Sequence, residues 1–280
     1  MSIGYFNGEY IQLDQPVVPI DERGHQFGDG VYEVIRVYNG KPFMLDEHLQ
    51  RLITSAGAIK LQMEKSPEEF KALILECVQK SNLLDCDVYL QITRGIAVRK
   101  HLFPQAPLSV SMTVRPARMI EKSLRENGVT AIFHADERWA NCYIKSLNLL
   151  PNILAKQTAH ERGCFEAILV KDGYVTEGTS SNVYMIKDGA VYTTPLSKQI
   201  LSGITRMAVE KVTHSLGIPF IEKMFTPDDL LAANEVFITS TSSEILPIVK
   251  VDDKDINDGK PGDLTLRMYQ EFQKLIGENK

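Results

Sequence analysis

Between positions 30 and 44 apolar and polar side chains alternate with a period of two. Val31, Glu33, Ile35 and Val37 fall on one face, and Tyr32, Val34, Arg36 and Tyr38 on the other. Asn39-Gly40 interrupts the run with a pair that suits a type I′ turn, so the spacing predicts a β-hairpin. The period then lengthens. Leu45, Leu49, Leu52 and Ile53 recur at helical spacing, with Asp46 as the expected N-cap and Gly57 near the end. Ser66, Pro67 and Glu69 predict a second helix that starts with a capping box. "DVYLQITRG" and "LSVSMTVRP" read as strands, and "RPARMIEK" reads as a linker. The expectation is a small α/β domain over 1–118, followed by a larger domain over 119–280.

The second region opens with "GVTAIFHADERWANCYI", expected as one strand. A helix should follow Lys145, with Pro151 in its first turn and Gly163 at its C-terminus. Two hairpins turn on the same tripeptide, Lys171-Asp172-Gly173 and Lys187-Asp188-Gly189, which predicts an antiparallel, meander-like or barrel-like sheet. Ile204, Ala208, Val212 and Leu216 keep helical register up to Gly217. "EVFITSTSSEI" runs from strand into a hydroxyl-rich turn, and the tail closes as a helix. The fold class expected is therefore α+β in two domains.

Composition narrows the function. The chain has 280 residues, 44% hydrophobic and 24% charged, with a net charge of −5. Without a basic excess, nucleic acid is not an expected partner. The opening lacks the basic and apolar regions of a signal peptide, and no apolar run reaches bilayer length. Cys77, Cys86, Cys142 and Cys164 form no C-x-x-C pair, which favours reduced thiols in the cytoplasm. His48, His101, His134 and His160 lack metal-ligand spacing, so no metal site is expected.

Chemistry concentrates elsewhere. Gly28-Asp29-Gly30 precedes a strand-like run, so it reads as a tight turn and not as a dinucleotide cradle. "TSSNV" is not a nucleophile elbow. Three features suit a phosphate: Arg51 on a helix, the helix start at "SGIT", and the turn Thr239 to Ser243. Each alone is weak, because a helical arginine is usually solvated and a Ser/Thr turn is usually only a cap. Lys145 precedes the apolar run "SLNLLPNIL". Such a lysine usually snorkels, but desolvation favours its neutral amine, which can attack an aldehyde. Glu177 could then face a pyridine nitrogen.

The runs "DERGHQFGDGVYEVIRVYNGKPFMLDEHLQRL", "IKSLNLLPNILAKQTAHERGCFEAIL", "VTEGTSSNV", "LSGITR" and "TSTSSE" together resemble fold-type IV pyridoxal-phosphate aminotransferases, over nearly the whole chain. The resemblance implies pyridoxal 5′-phosphate as cofactor, Lys145 as the catalytic Schiff-base lysine and Glu177 as partner of the pyridine nitrogen. It implies Arg51, Ile204, Thr205, Ser240 and Thr241 as the phosphate cup. The helix after Lys145 is expected to fix that residue's backbone.

"ITRGIAVRKHLFP" contains an R-x-H pair, Arg99 and His101, able to clamp a carboxylate. It resembles the carboxylate trap of bacterial D-amino-acid aminotransferases. That resemblance implies that Tyr32 completes the trap, with Val34 beside it, and that the pair acts from the other subunit of a homodimer. Ala97 and Val98 stand where small or polar residues and a proline are more usual. Amino acid and 2-oxo acid are the implied substrates. A branched-chain L-amino-acid aminotransferase, which would lack the R-x-H pair, and an aminodeoxychorismate lyase remain as alternatives on the same fold.

Overall fold

Alternation along residues 30–38 produces the nine-residue strand β3 of the first of two units. The computed structural model describes residues 1–278. The first unit contains Met1–Arg118 together with Ile144–Asn148. Its elements are β1 (Ile3–Phe6), β2 (Glu9–Ile11), α1 (Arg23–Phe27), β3 (Gly30–Tyr38), β4 (Lys41–Pro42), α2 (Leu45–Ala58), α3 (Pro67–Ser81), β5 (Cys86–Thr93) and β6 (Ser109–Pro116). Among the described residues these strands form a six-stranded sheet in the order β2-β1-β6-β5-β3-β4. Its neighbouring strands are antiparallel.

Val31, Ile35 and Val37 are fully buried, as the alternation requires, and α2 packs over β3. Asn39 and Gly40 take φ of 49° and 81°, the left-handed pair that a type I′ turn needs. The capping box at Ser66 and Glu69 forms as expected. Asp46 is not the N-cap of α2. That position is Met44, at φ 50°, without a side-chain cap. Asp46 lies inside the first turn and pairs with Lys71 at 2.6 Å instead. The five-residue α1 shows no periodicity because it is barely one turn long. Glu22 caps it by accepting from the His25 N–H at 2.8 Å, and Gly28 ends it at φ 64°.

The second unit contains Met119–Tyr143 and Leu149–Glu278. Its elements are α4 (Lys122–Asn127), β7 (Val129–Ala135), α5 (Leu150–Glu161), β8 (Glu166–Lys171), β9 (Tyr174–Gly178), β10 (Asn182–Lys187), β11 (Ala190–Thr193), α6 (Ile204–Ser215), β12 (Phe220–Glu222), α7 (Pro227–Leu231), β13 (Glu235–Ser240), β14 (Glu244–Val251), β15 (Lys254–Asp255) and α8 (Asp263–Glu278). Among the described residues, the sheet order is β12-β11-β10-β13-β14-β7-β8-β9, with β15 on β14.

Both K-D-G hairpins form, with Asp172 and Asp188 each at φ 51°. Between them in the sheet lie β13, β14 and β7, and the pairs β11–β12, β14–β7 and β7–β8 are parallel. The strand expected up to residue 144 stops at Ala135. There Asp136 accepts from the backbone N–H of Arg138 at 3.1 Å, a local side-chain turn that ends strand pairing. Val129, Ala131, Ile168, Val183, Val236 and Ile248 form part of the core of this unit.

Candidate active site

β3 and α2 hold Lys145 in the first unit. The Tyr32 N–H donates to the Lys145 carbonyl at 3.0 Å, and the Lys145 N–H donates to Ser55 Oγ on α2 at 3.1 Å. The Leu147 N–H reaches the Gly30 carbonyl at 3.1 Å, and Ser146 bridges to Val31. The backbone is therefore fixed by strand pairing five residues before α5 begins, and not by that helix as expected. The half-buried side chain brings its Nζ to 4.2 Å from the centroid of the Tyr32 ring. Tyr32 itself stacks on Tyr89 at 5.6 Å. Val34 points to the same side of β3 and is half-buried.

On the opposite face of β3, Glu33 is fully buried among Val31, Ile35 and Val37. Arg51 Nε and Nη2 donate to its two oxygens at 2.7 and 2.8 Å, a bidentate fork. His48 Nδ1 stands 2.7 Å from Glu33 Oε2. Burial alone would raise the Glu33 pKa, but Arg51 and His48 hold it well below the carboxylate range. An ionised carboxylate only accepts, so His48 Nδ1 carries the proton of this bond. Burial also lowers the His48 pKa, which keeps the ring neutral. Arg51, read from sequence as a phosphate ligand, is thus held in one orientation by a carboxylate.

Arg99 and His101 are exposed. Both lie against Phe27: the Arg99 guanidinium carbon at 4.7 Å from the ring centroid, and the His101 ring at 5.7 Å.

In the second unit Glu177, near the end of β9, is buried. It pairs with Arg138, and its Oε2 accepts from Asn182 Nδ2 and the Leu201 N–H, each at 3.1 Å. Arg138 also grips Asp136, with bonds of 2.8 and 2.7 Å, and Asp136 accepts from Thr176 Oγ1 at 2.8 Å. Burial pushes Glu177 up to about 6, an effect that Arg138 only partly offsets. At Asp136 burial acts in the same direction, but there Arg138 outweighs it and the carboxyl stays below its usual range.

Asn182 joins Glu177 to the start of α6. Its Nδ2 also donates to the Leu201 carbonyl at 3.0 Å, and a Cβ on Gly203 would fall 2.1 Å from its Oδ1. Gly203 is the N-cap of α6 and brings no side-chain acceptor. The first N–H groups of this helix, at Ile204 and Thr205, therefore meet a position without a Cβ, the setting in which a helix dipole favours an anion. Asn182 also pairs in register with Thr239 of β13, one residue before Ser240. Ser240 Oγ accepts from the Ser243 N–H at 3.1 Å and contacts the Ser243 hydroxyl, which tightens the turn that contains Thr241.

Each unit thus gathers its own residues. Lys145, Tyr32, Val34 and Arg51 lie on or against β3, whereas Asn182 bonds Glu177, adjoins Gly203 just before Ile204 and Thr205, and pairs with Thr239 just before Ser240 and Thr241. Sequence reasoning missed Glu33, His48, Arg138 and Asn182. Only Glu33 left a signal, as a carboxylate on an otherwise apolar strand face. Among the described residues, no group of three or more His, Cys, Asp or Glu is placed to hold a metal ion.

Residues 30–251 match the family model for amino-transferase class IV. The chain is 47% identical over 273 residues to the D-alanine aminotransferase of Bacillus licheniformis, covering 97% of this chain and 96% of that one. In structure it is similar to the Escherichia coli branched-chain amino acid aminotransferase, with a TM-score of 0.92 and 28% identity over 99% of this chain and 96% of that one. The T.th. branched-chain amino acid aminotransferase, solved with pyridoxamine 5′-phosphate, matches with a TM-score of 0.91 and 26% identity over 99% and 95% of the two chains.

Proposed function

The chain belongs to the amino-transferase class IV family, and we propose that it transfers the amino group of a D-amino acid, such as D-alanine, to a 2-oxo acid, such as 2-oxoglutarate. Pyridoxal 5′-phosphate is its cofactor. The residues fit this group: Lys145 supplies an amine with a fixed backbone, Glu177 a buried carboxylate, and Gly203 an uncapped helix start for a phosphate. When bound, the cofactor supplies an electron sink that makes the substrate Cα–H acidic.

Lys145 Nζ is the base that takes the α-proton and returns it, and the Tyr32 ring beneath it limits where it can move. Glu177 would keep the cofactor's pyridine nitrogen protonated when the group is bound, and Arg138 and Asn182 orient Glu177. Arg51, Ile204, Thr205, Ser240 and Thr241 would hold the phosphate of the cofactor. Arg99, His101 and Tyr32 bind the substrate carboxylate, with Val34 beside them. The position of that clamp relative to Lys145 selects the D-enantiomer. The proposal includes a homodimer in the cytoplasm. Exposed Val98, Leu102 and Phe103 support a covered face, and four free cysteines support a reducing compartment.

The observation that carries this reading is Lys145: a half-buried amine over an aromatic ring, its backbone bonded to both β3 and α2. The branched-chain L-amino-acid reading has the fold similarity in its favour. Against it stand the higher identity to a D-alanine aminotransferase and the presence of Arg99 and His101. The test is a half-reaction. Holoenzyme is mixed separately with D-alanine, L-leucine and an (R)-amine, and the visible absorbance of the cofactor is followed. D-alanine should convert it. Conversion by L-leucine alone overturns the proposal.

A further inference from the structure

The segment that carries Arg99 and His101 is anchored by groups outside the reactive set. Asp29, just after α1, accepts from Arg23 Nε at 2.8 Å and from Arg94 Nε at 2.9 and 3.1 Å. Both arginines are buried. Arg23 also donates to the carbonyl of Lys100 at 2.6 Å, and Lys100 is the residue between Arg99 and His101. Arg94 stacks on Phe103 at 3.6 Å, and the Ala97 N–H reaches the Asp21 carbonyl at 3.1 Å. The loop is therefore held through its main chain before the pair and between its members, and after it through the Phe103 ring.

The side chains of the pair are held differently. Arg23 and Arg94 share a carboxylate, whereas among the described residues no carboxylate stands within ion-pair distance of Arg99. Its guanidinium rests on Phe27 at 4.7 Å, and the Arg23 guanidinium lies 4.8 Å from the same ring centroid. The His101 ring meets that ring as well. An aromatic face attracts a guanidinium through its π-electrons and leaves the in-plane N–H groups unspent. A carboxylate in the place of Phe27 would orient Arg99 equally well but would consume the donors a substrate needs.

We propose that Phe27 is a positioning residue: it orients Arg99 and His101 without using their hydrogen-bond donors, and so sets how strongly the site prefers substrates that carry a carboxylate. The inference rests on the reading of Arg99 and His101 as the carboxylate clamp. It concerns a residue that touches the clamp, not the reacting atoms.

The experiment compares wild-type holoenzyme with F27L, F27Y and R99A. KM and kcat are measured for D-alanine, together with competitive inhibition by propionate and the half-reaction with D-alaninamide, which lacks the negative charge. F27L should raise KM for D-alanine and the inhibition constant of propionate about fivefold, with kcat changed about twofold or less. The preference for D-alanine over D-alaninamide should fall by the same factor, and F27Y, which keeps the ring face, should restore all three. If R99A weakens D-alanine and propionate binding while F27L leaves both unchanged, the inference is overturned and the clamp stands. If R99A changes neither, the clamp reading itself fails. An equal loss on D-alanine and D-alaninamide in F27L also overturns the inference, because it marks a general loosening.

Discussion

Lys145 and Tyr32 are joined twice: the Tyr32 N–H donates to the Lys145 carbonyl at 3.0 Å, and the Lys145 Nζ stands 4.2 Å from the centroid of the Tyr32 ring. One strand residue therefore fixes both ends of the lysine. The backbone bond sets where the side chain starts, and the ring limits where its amine can go.

Lys145→Ala keeps every backbone bond that this residue makes. It should fold with a Tm within a few degrees of wild type and lose at least about a thousandfold in transamination, with no visible absorbance from covalently held cofactor. Thermal unfolding and a D-alanine assay separate the two effects. Wild-type turnover in this variant would sink the assignment.

Tyr32→Phe keeps the ring beneath Lys145 and its stack on Tyr89. Its stability should stay near wild type, and the loss of the hydroxyl should appear mainly in KM for D-alanine. Tyr32→Ala removes the ring, should cost about 1–3 kcal/mol of stability and should lower kcat as well. Equal kinetics in the two variants would show that the ring does not guide the amine.

Glu33→Gln removes the buried charge that pairs with Arg51 and His48 and should cost about 3 kcal/mol at pH 7. The Glu33 pKa is lowered on folding, so its contribution is full above the ordinary value of 4.5 and is lost as pH falls below it. Urea unfolding between pH 7 and pH 3 should show the gap between wild type and variant closing only below that value. A gap that stays constant down to pH 3 contradicts the buried pair.

Glu177 has the opposite sign. Its pKa is raised from 4.5 to about 6, so its contribution in the cofactor-free protein is full below 4.5 and is lost as pH rises through 6. Cofactor-free Glu177→Gln should lack this dependence, a difference of about 2 kcal/mol across the window. Affinity for pyridoxal 5′-phosphate should weaken from pH 7.5 to pH 5 in wild type, where the carboxylate gains its proton, and should vary less in the variant. Fluorescence titration reads both, and identical profiles would exclude Glu177 as the group that senses the ring nitrogen.

Sequence alone determined what depends on neighbours a few residues apart. The hairpin turns at Asn39-Gly40 and at the two K-D-G tripeptides, the capping box at Ser66 and the apolar face of β3 all follow from local φ, ψ and side-chain period. Lys145, Glu177 and the R-x-H pair stand out because the motifs around them resemble those of a known family, and local spacing alone leaves each with an ordinary reading. Tertiary structure decided what holds them. Lys145 hangs on β3 and on Ser55, 90 residues away, and not on the helix beside it in sequence. Glu33 is buried on an apolar face because Arg51 and His48, 18 and 15 residues on, meet it there. Asn182 joins Glu177 to α6 through a close approach that only a glycine at 203 permits. The physical reason is the same in each case: a charge or amide can be buried only once its partners arrive, and those partners come from distant segments that no local periodicity connects.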